Sequence, residues 1–197
     1  MRRRILITGT SGGIGGAVQR AAEAAGWEVV ALNRADFAAL DAAPLGEAPF
    51  DAVVFATGTC PVTPLAQLTD AALAETLTAN CALFVRLMRR IVRERRHAPG
   101  GLRAVAVSSV SAVEGWPGGV AYCASKGALS AACRALDAEL APRGIRVTAV
   151  EPRYVLTDMF RRCAGRMGVP ASAARDPDDF ARELLSMVEP RETEEER

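Results

Sequence analysis

Short apolar runs alternate along this chain with longer, alanine-rich stretches. Runs rich in Val, Ile and Leu predict β-strands at 4–8, 28–32, 51–56, 103–108 and 146–150. They are apolar nearly throughout, which is typical of strands that helices cover on both faces. The longer stretches predict helices at 13–25, 69–95, 122–141 and 177–187. The alternation predicts an α/β fold with a mostly parallel sheet.

The connections predict a Rossmann-type, doubly wound sheet that is shorter than usual. Between Arg34 and Asp51 the chain is too short for a helix-strand-helix unit, which needs about 30 residues, so we expect a stunted third strand-helix unit. The charged segment 189–197 predicts a flexible tail and no final strand. We therefore expect one domain over 1–188 and a tail over 189–197. Residues 171–179, small and polar between two prolines, read as a mobile loop.

Charge and composition narrow the range of partners. The 197-residue chain carries 24 Lys and Arg against 23 Asp and Glu, so no overall field attracts nucleic acid or an anionic membrane. The arginines between residues 86 and 96 indicate a helix face that is exposed to solvent. The alternative is that this face docks an acidic carrier protein. No window approaches the ~20 apolar residues of a membrane span. We expect a cytoplasmic protein.

Cysteine and histidine usage excludes other classes of site. The five cysteines show no C-x-x-C spacing, and the chain has one histidine. Neither a disulfide framework nor a metal site is predicted, so we expect no bound metal.

A glycine-rich segment follows the first predicted strand and opens a helix. It reads TGTSGGIG over Thr8 to Gly15, and Gly9, Gly13 and Gly15 would let the backbone turn tightly and bring its amides against a diphosphate. Its place at the start of an α/β pattern favours a dinucleotide site over a purely structural turn. We expect the cofactor to contact Gly9, Thr10, Ser11, Gly13, Ile14 and Gly15.

The end of the second strand indicates which cofactor binds. An acidic residue there would bind ribose hydroxyls and favour NAD, whereas this chain has Asn33 followed by Arg34. Arg34 would pair with a 2′-phosphate, which favours NADP(H) over NAD(H). The alternative is an ordinary surface arginine. Asp36 is a weaker candidate for contact with the adenine amino group.

Three side chains form a candidate proton-transfer site. Ser109 follows the fourth predicted strand, and Tyr122 and Lys126 lie one turn apart on a helix, on the same face. A phenol with a pKa of about 10 needs a nearby cation to serve as an acid-base catalyst at neutral pH, and Lys126 would supply it. Ser109 would hold the substrate oxygen while Tyr122 gives or takes its proton.

These motifs together resemble the short-chain dehydrogenase/reductase family. Its TGxxxGxG pattern matches Thr8 to Gly15, and its Y-x-x-x-K matches Tyr122 and Lys126. The resemblance implies that Ser109 is the catalytic serine and that Asn80 holds a proton-relay water. It also implies a nicotinamide contact in the segment matching P-G-x-V-x-T, at Pro152, Val155 and Thr157.

The sequence departs from the family pattern at three places. The usual N-N-A-G is replaced by Phe55-Ala56-Thr57-Gly58, and we expect Ala56, Thr57 and Gly58 to line the cofactor site. Arg153 replaces a glycine, where it would clasp an anionic substrate group or point to solvent. The final family strand is absent, which leaves open whether the assembly is a homodimer, our expectation from the helices 69–95 and 122–141, or a tetramer.

The expected reaction is NADPH-dependent reduction of a ketone to a secondary alcohol. Val110, Trp116, Arg153 and Tyr154 are the candidate substrate contacts, with Val113, Met159 and Phe160 as further walls; any of the apolar ones equally fits the core. Resemblance to ketoacyl reductases makes a β-ketoacyl thioester the leading substrate, and residues 156–174 would fold over it as a lid. The alternatives are a noncatalytic NADPH-binding sensor or structural partner, and a nucleotide-sugar epimerase, which would need a larger C-terminal region.

Overall fold

The computed structural model describes residues 2–33, 45–46 and 48–189. The strands are β1 (Arg4–Thr8), β2 (Glu28–Leu32), β3 (Ala52–Phe55), β4 (Leu102–Val107) and β5 (Ile145–Val150). The helices are α1 (Gly13–Ala24), α2 (Asp70–Leu77), α3 (Leu83–Arg93), α4 (Val120–Leu140), α5 (Asp158–Met167) and α6 (Pro177–Val188). The five predicted strands and four predicted helical regions are confirmed, with ends shifted by one or two residues.

The strands form one parallel sheet in the order β2-β1-β3-β4-β5. In register, Thr8 lies beside Phe55, Phe55 beside Ala106, and Val107 beside Val150. The carboxyl ends of four neighbouring strands therefore meet along one edge. Among the described residues, no strand lies beyond β2 or β5, so the expected shortened Rossmann-type sheet is confirmed. The division into one domain and a tail stays a prediction, because residues 190–197 lie outside the described part.

Alternating strand residues fill two cores, one on each face of the sheet. On one face, Leu6 and Phe55 pack with the helix pair α3 and α4, including Phe84 and Leu129. On the other face, Ile5, Ile7 and Val54 pack with α1 and α6. Because both faces are covered, the strands are apolar at successive positions rather than at every second one.

The predicted helix over 69–95 is interrupted by a π-helical turn at Thr78–Ala82, between α2 and α3. This stretch also corrects an expectation, because Asp70–Arg93 is long and apolar enough, by length and composition, to cross a membrane. Its apolar side is used inside the fold: Phe84, Leu87, Met88 and Ile91 are fully buried against the sheet. Length and composition did not separate a core helix from a membrane span here.

The segment after β5 is more ordered than the sequence suggested. The stretch read as a lid contains α5, which begins at the N-cap Thr157 and ends at Gly168 in the left-handed conformation. The expected loop before the last helix covers residues 171–176, and α6 begins at Pro177, as the sequence predicted. Ala171–Ala173 form a 3-10 turn, and the Arg175 backbone bonds to Tyr154 and Leu156. Asp176 then caps α6, which starts at Pro177.

Candidate active site

A cavity of about 370 Å³ opens at the carboxyl edge of the sheet. One end is formed by the turn between β1 and α1, and the other by Ser109, Tyr122, Lys126 and α5. The predicted cofactor residues that line it are Gly9, Ser11, Gly13, Ile14, Ala56, Thr57, Gly58, Pro152, Val155 and Thr157. The structure thus brings both ends of the predicted site into one space.

The glycine turn is packed so closely that side chains would not fit. Gly9 has a φ of 72°, and a Cβ on Gly15 would lie 2.3 Å from the Gly9 carbonyl oxygen. A Cβ on Gly13 would lie 2.6 Å from Cγ2 of Thr157, so the turn and the start of α5 touch. Gly15 and Thr10, also predicted as cofactor contacts, do not line the cavity.

The first turn of α1 suits an anion. Among the described residues, no side chain caps its N-terminus, and the first turn contains no acidic residue. The unpaired amides and the helix dipole at such an end attract a phosphate group. The residues present therefore fit the diphosphate of a dinucleotide.

Asn33, which directly follows β2, stabilises the glycine turn by hydrogen bonds. Its Oδ1 accepts hydrogen bonds from the Thr10 hydroxyl and the Ser11 amide, each at 3.1 Å. The predicted cofactor contacts Arg34 and Asp36 lie outside the described residues.

Ser109 and Tyr122 form the centre of the chemical end. Ser109 caps a 3-10 turn (Val110–Ala112), and its Oγ accepts a hydrogen bond from the Ser111 amide at 3.1 Å. Burial raises the pKa of the Tyr122 phenol, and the nearby Ser109 hydroxyl only partly offsets this rise. The phenol therefore stays protonated at neutral pH and is suited to donate a proton.

Lys126 differs from the sequence-based expectation. It is 5% exposed, and its Nζ donates a 2.7 Å hydrogen bond to the Val107 carbonyl and lies 5.7 Å from the Tyr122 ring centroid. Burial lowers the pKa of Lys126 to about 8. The expected depression of the Tyr122 pKa by Lys126 is not seen, because removal from water dominates both groups.

Asn80 lies in the π-helical turn, behind these residues, and is fully buried. Its side-chain amide bonds both backbone groups of Thr59, at 2.7 and 2.9 Å, and the Ser125 hydroxyl at 2.8 Å. Gly58 packs against it, because a Cβ there would lie 3.0 Å from its Oδ1 and 3.7 Å from Lys126 Nζ. Asn80 thus joins the loop after β3 to the helix carrying Tyr122 and Lys126.

The predicted substrate contacts fall in different places. Trp116 and Tyr154 line the cavity, and the Trp116 ring centroid is 6.3 Å from that of Tyr122. Arg153 also lines it, and its largely exposed guanidinium makes a two-pronged ion pair with Glu114 at 2.8 and 3.2 Å. Val110 is half-buried in the 3-10 turn and is not among the lining residues.

Sequence reasoning missed several lining residues, among them Cys60, Arg162 and Cys163. Cys163 of α5 contacts Cys60, its Sγ lying 3.5 Å from the Cys60 carbonyl, and Arg162 stands beside it on the same helix. Burial, then the nearby Cys163, raises the pKa of the Cys60 thiol, so Cys60 is a neutral part of the wall. The Thr157 cap and Gly168 stop were the sequence signals for α5. Among the described residues, no cluster of possible metal ligands is present.

The same fold and sequence pattern occur in characterised proteins. Residues 38–166 match the family described as short chain dehydrogenase. An L-xylulose reductase from Bos taurus is 31% identical over 181 residues, which cover 80% of this chain and 73% of that protein. A 3-oxoacyl-[acyl-carrier-protein] reductase from Rickettsia felis is 29% identical over 181 residues, covering 78% and 73% of the two chains.

A solved structure, a single-substitution variant of actinorhodin polyketide ketoreductase with NADPH, superposes with a TM-score of 0.80 at 20% identity and covers 96% of this chain and 91% of that one. The fold and the sequence matches define an NAD(P)-dependent oxidoreductase class. The chain belongs to the short-chain dehydrogenase/reductase family. Solved proteins of this fold hold NADPH or NADH.

Proposed function

We propose that this protein reduces a ketone to a secondary alcohol with NADPH, using Ser109, Tyr122 and Lys126. The observation that carries the proposal is a single cavity that holds Ser109, Tyr122 and Lys126 at one end and the open first turn of α1 at the other. With a dinucleotide's diphosphate on the glycine turn and its nicotinamide near Pro152, Val155 and Thr157, a ketone would fit between the nicotinamide and the proton source on α4.

The protonation state of Tyr122 favours reduction. Its raised pKa keeps the phenol protonated at neutral pH, so it can hydrogen-bond a carbonyl oxygen and pass it a proton. Ser109 would hold the same oxygen from the strand side. The bound nicotinamide would supply the hydride and, once oxidised, a positive charge beside the phenol.

Lys126 and Asn80 serve this pair from behind. Lys126 would bind the cofactor ribose and help to return a proton to Tyr122 after each reduction. Asn80 would hold the loop after β3 against the helix that bears Tyr122 and Lys126. Pro152, Val155 and Thr157 would flank the nicotinamide. Trp116, Tyr154 and Arg153 would border the substrate.

The preference for NADPH rests on the end of β2. Asn33 is uncharged and uses its oxygen to hold the glycine turn, so no carboxylate repels a 2′-phosphate there. Arg34, the next residue, would bind that phosphate. We expect Arg34→Ala to weaken NADPH binding about tenfold and leave NADH binding nearly unchanged, by loss of one charge-assisted contact. Arg20→Ala, which removes an exposed arginine paired with Asp178, is the matched control.

The proposed substrate class rests on the functions of two relatives. A protein of 31% identity reduces L-xylulose and one of 29% identity reduces 3-oxoacyl chains. A β-ketoacyl thioester remains the leading example of the ketone. Assembly as a homodimer, tested by sedimentation, stays a prediction from the helices α2–α3 and α4.

The test is cofactor titration by fluorescence followed by turnover with β-ketoacyl thioesters and simple ketones. Ser109→Ala should lower kcat while NADPH binding persists, because it removes one hydrogen bond to the reacting oxygen and no cofactor contact. Tight NADPH binding with no turnover on any carbonyl would overturn the reductase proposal and favour a noncatalytic NADPH sensor.

A further inference from the structure

The charged side chains that line the cavity differ in whether they form an ion pair or hydrogen bond with another residue. They are Lys126, Arg153, Asp158 and Arg162. Lys126 is buried on the Val107 carbonyl, and Arg153 is neutralised by Glu114. Asp158 is neutralised by Arg161 at 3.1 Å. Within the described part of the chain, Arg162 makes no ion pair or hydrogen bond.

The position of Arg162 along α5 places it at the substrate end. The helix begins where Thr157 touches Gly13, which is the diphosphate side. One residue beyond Arg162, Cys163 contacts Cys60 and is close enough to Tyr122 to affect its pKa. A turn further on, Arg166 donates to the Val62 carbonyl at 2.7 Å. At about 1.5 Å per residue, Arg162 lies some 7 Å along the helix from the diphosphate side.

The electrostatic balance points to an anionic ligand. One wall carries the Arg153–Glu114 ion pair, in which the two charges offset each other. Arg162 of α5 has no such partner among the described residues. A guanidinium beside an apolar wall of Trp116, Met159 and Phe160 binds a carboxylate or phosphate oxygen by charge-assisted hydrogen bonds. Its exposure limits the gain, because solvent screens part of the attraction.

We propose that Arg162 is a specificity-determining residue that selects ketones carrying an anionic group, a carboxylate or a phosphate, at the end remote from the reacting carbonyl. This rests on the proposed ketone reduction and names its substrate class. Arg153, for which the sequence left open whether it clasps an anionic group or points to solvent, pairs with Glu114.

The test compares ketones that carry an anionic group with counterparts that lack it. One pair is a series of keto acids, from 4-oxopentanoate to 6-oxoheptanoate, with their methyl esters. The other pair is acetoacetyl-coenzyme A and the acetoacetyl thioester of N-acetylcysteamine. The first pair tests recognition of a carboxylate, and the second tests recognition of a phosphate. The chain length of the best keto acid measures the distance between the reacting carbonyl and the anionic group.

We expect wild-type protein to prefer the anionic member of at least one pair. Arg162→Gln should lower kcat/KM for that member about tenfold, mainly through KM, and leave its neutral partner nearly unchanged. Arg162→Lys should restore part of the preference. Arg134→Gln is the matched control, because Arg134 is exposed on α4 and does not line the cavity. About 0.5 M salt should reduce the preference in wild type only.

Equal changes for charged and neutral members, or no effect of Arg162→Gln on either pair, would overturn the assignment. Failure of the parent proposal looks different, since no ketone would then be reduced. In that case calorimetric binding of 6-oxoheptanoate and its ester to the NADP⁺-loaded protein still decides: stronger binding of the acid, lost in Arg162→Gln, supports the site, and equal binding refutes it.

Discussion

Replacing Lys126 with Met should stabilise the protein while removing its proposed activity. Burial lowers the pKa of Lys126 to about 8 from an ordinary 10.5, so holding the charge in the folded state at neutral pH costs about 3 kcal/mol. Met has a similar length and no charge, and it gives up the hydrogen bond to Val107, worth about 1 kcal/mol. The net gain is about 2 kcal/mol, or a melting temperature higher by about 4–8 °C.

The pH dependence of the stability gained by Lys126→Met shows whether burial of the Lys126 charge is its cause. Because the folded pKa is the lower one, between about pH 8 and 10.5 the unfolded chain binds the extra proton, and wild-type stability rises with pH. The cost is fully present below about pH 8 and is gone above 10.5. The advantage of Lys126→Met should therefore be full at pH 7 and shrink to about zero near pH 10.

Urea unfolding of both proteins across this range, with NADPH oxidation measured in parallel, is the assay. Lys126 is the single lysine of the chain, so isotope-labelled lysine gives one side-chain NMR signal whose titration reports its pKa directly. The exposed Arg89→Met is the control and should show no pH-dependent gain. Destabilisation by Lys126→Met at pH 7 that does not vary with pH would refute the reasoning.

Three further substitutions probe the packing of the site. Gly13→Ala should weaken NADPH binding at least tenfold, because its Cβ would meet Cγ2 of Thr157 at 2.6 Å, and Thr157→Ser should restore part of it in fluorescence titration. Gly165→Ala, in the interior of α5 with open space around its Cβ, should raise stability in urea by up to about 1 kcal/mol. Asn80→Ala removes the three hydrogen bonds of a fully buried residue and should lower the free energy of unfolding in urea by about 3 kcal/mol; a loss under about 1 kcal/mol would contradict its role in joining the two segments.

The sequence predicted those parts of the molecule that depend on local patterns. The five strands follow from runs of buried residues, and the glycine turn follows from Gly9, Gly13 and Gly15 between a strand and a helix. The spacing of Tyr122 and Lys126 on a helix placed both at the cavity. These features need only the nearest few residues along the chain.

Contacts between residues that are far apart in the sequence could not be predicted from such local patterns. Arg153 and Glu114 are 39 residues apart, and Cys60 and Cys163 are 103 apart, so only the folded chain shows that they meet. The pKa of Lys126 depends on burial by several elements, which its position next to Tyr122 does not reveal. By contrast, α5 carried a local signal in its Thr157 cap and Gly168 stop, and the lid interpretation overlooked it.

The most direct test of the account is a single-turnover measurement of NADPH oxidation by a ketone, comparing wild-type protein with Tyr122→Phe at saturating cofactor. Loss of the phenol oxygen should slow hydride transfer by at least about a hundredfold, with the dissociation constant for NADPH changed less than about threefold. Equal rates in the two proteins would contradict a role for Tyr122 as proton donor, and with it the proposed mechanism.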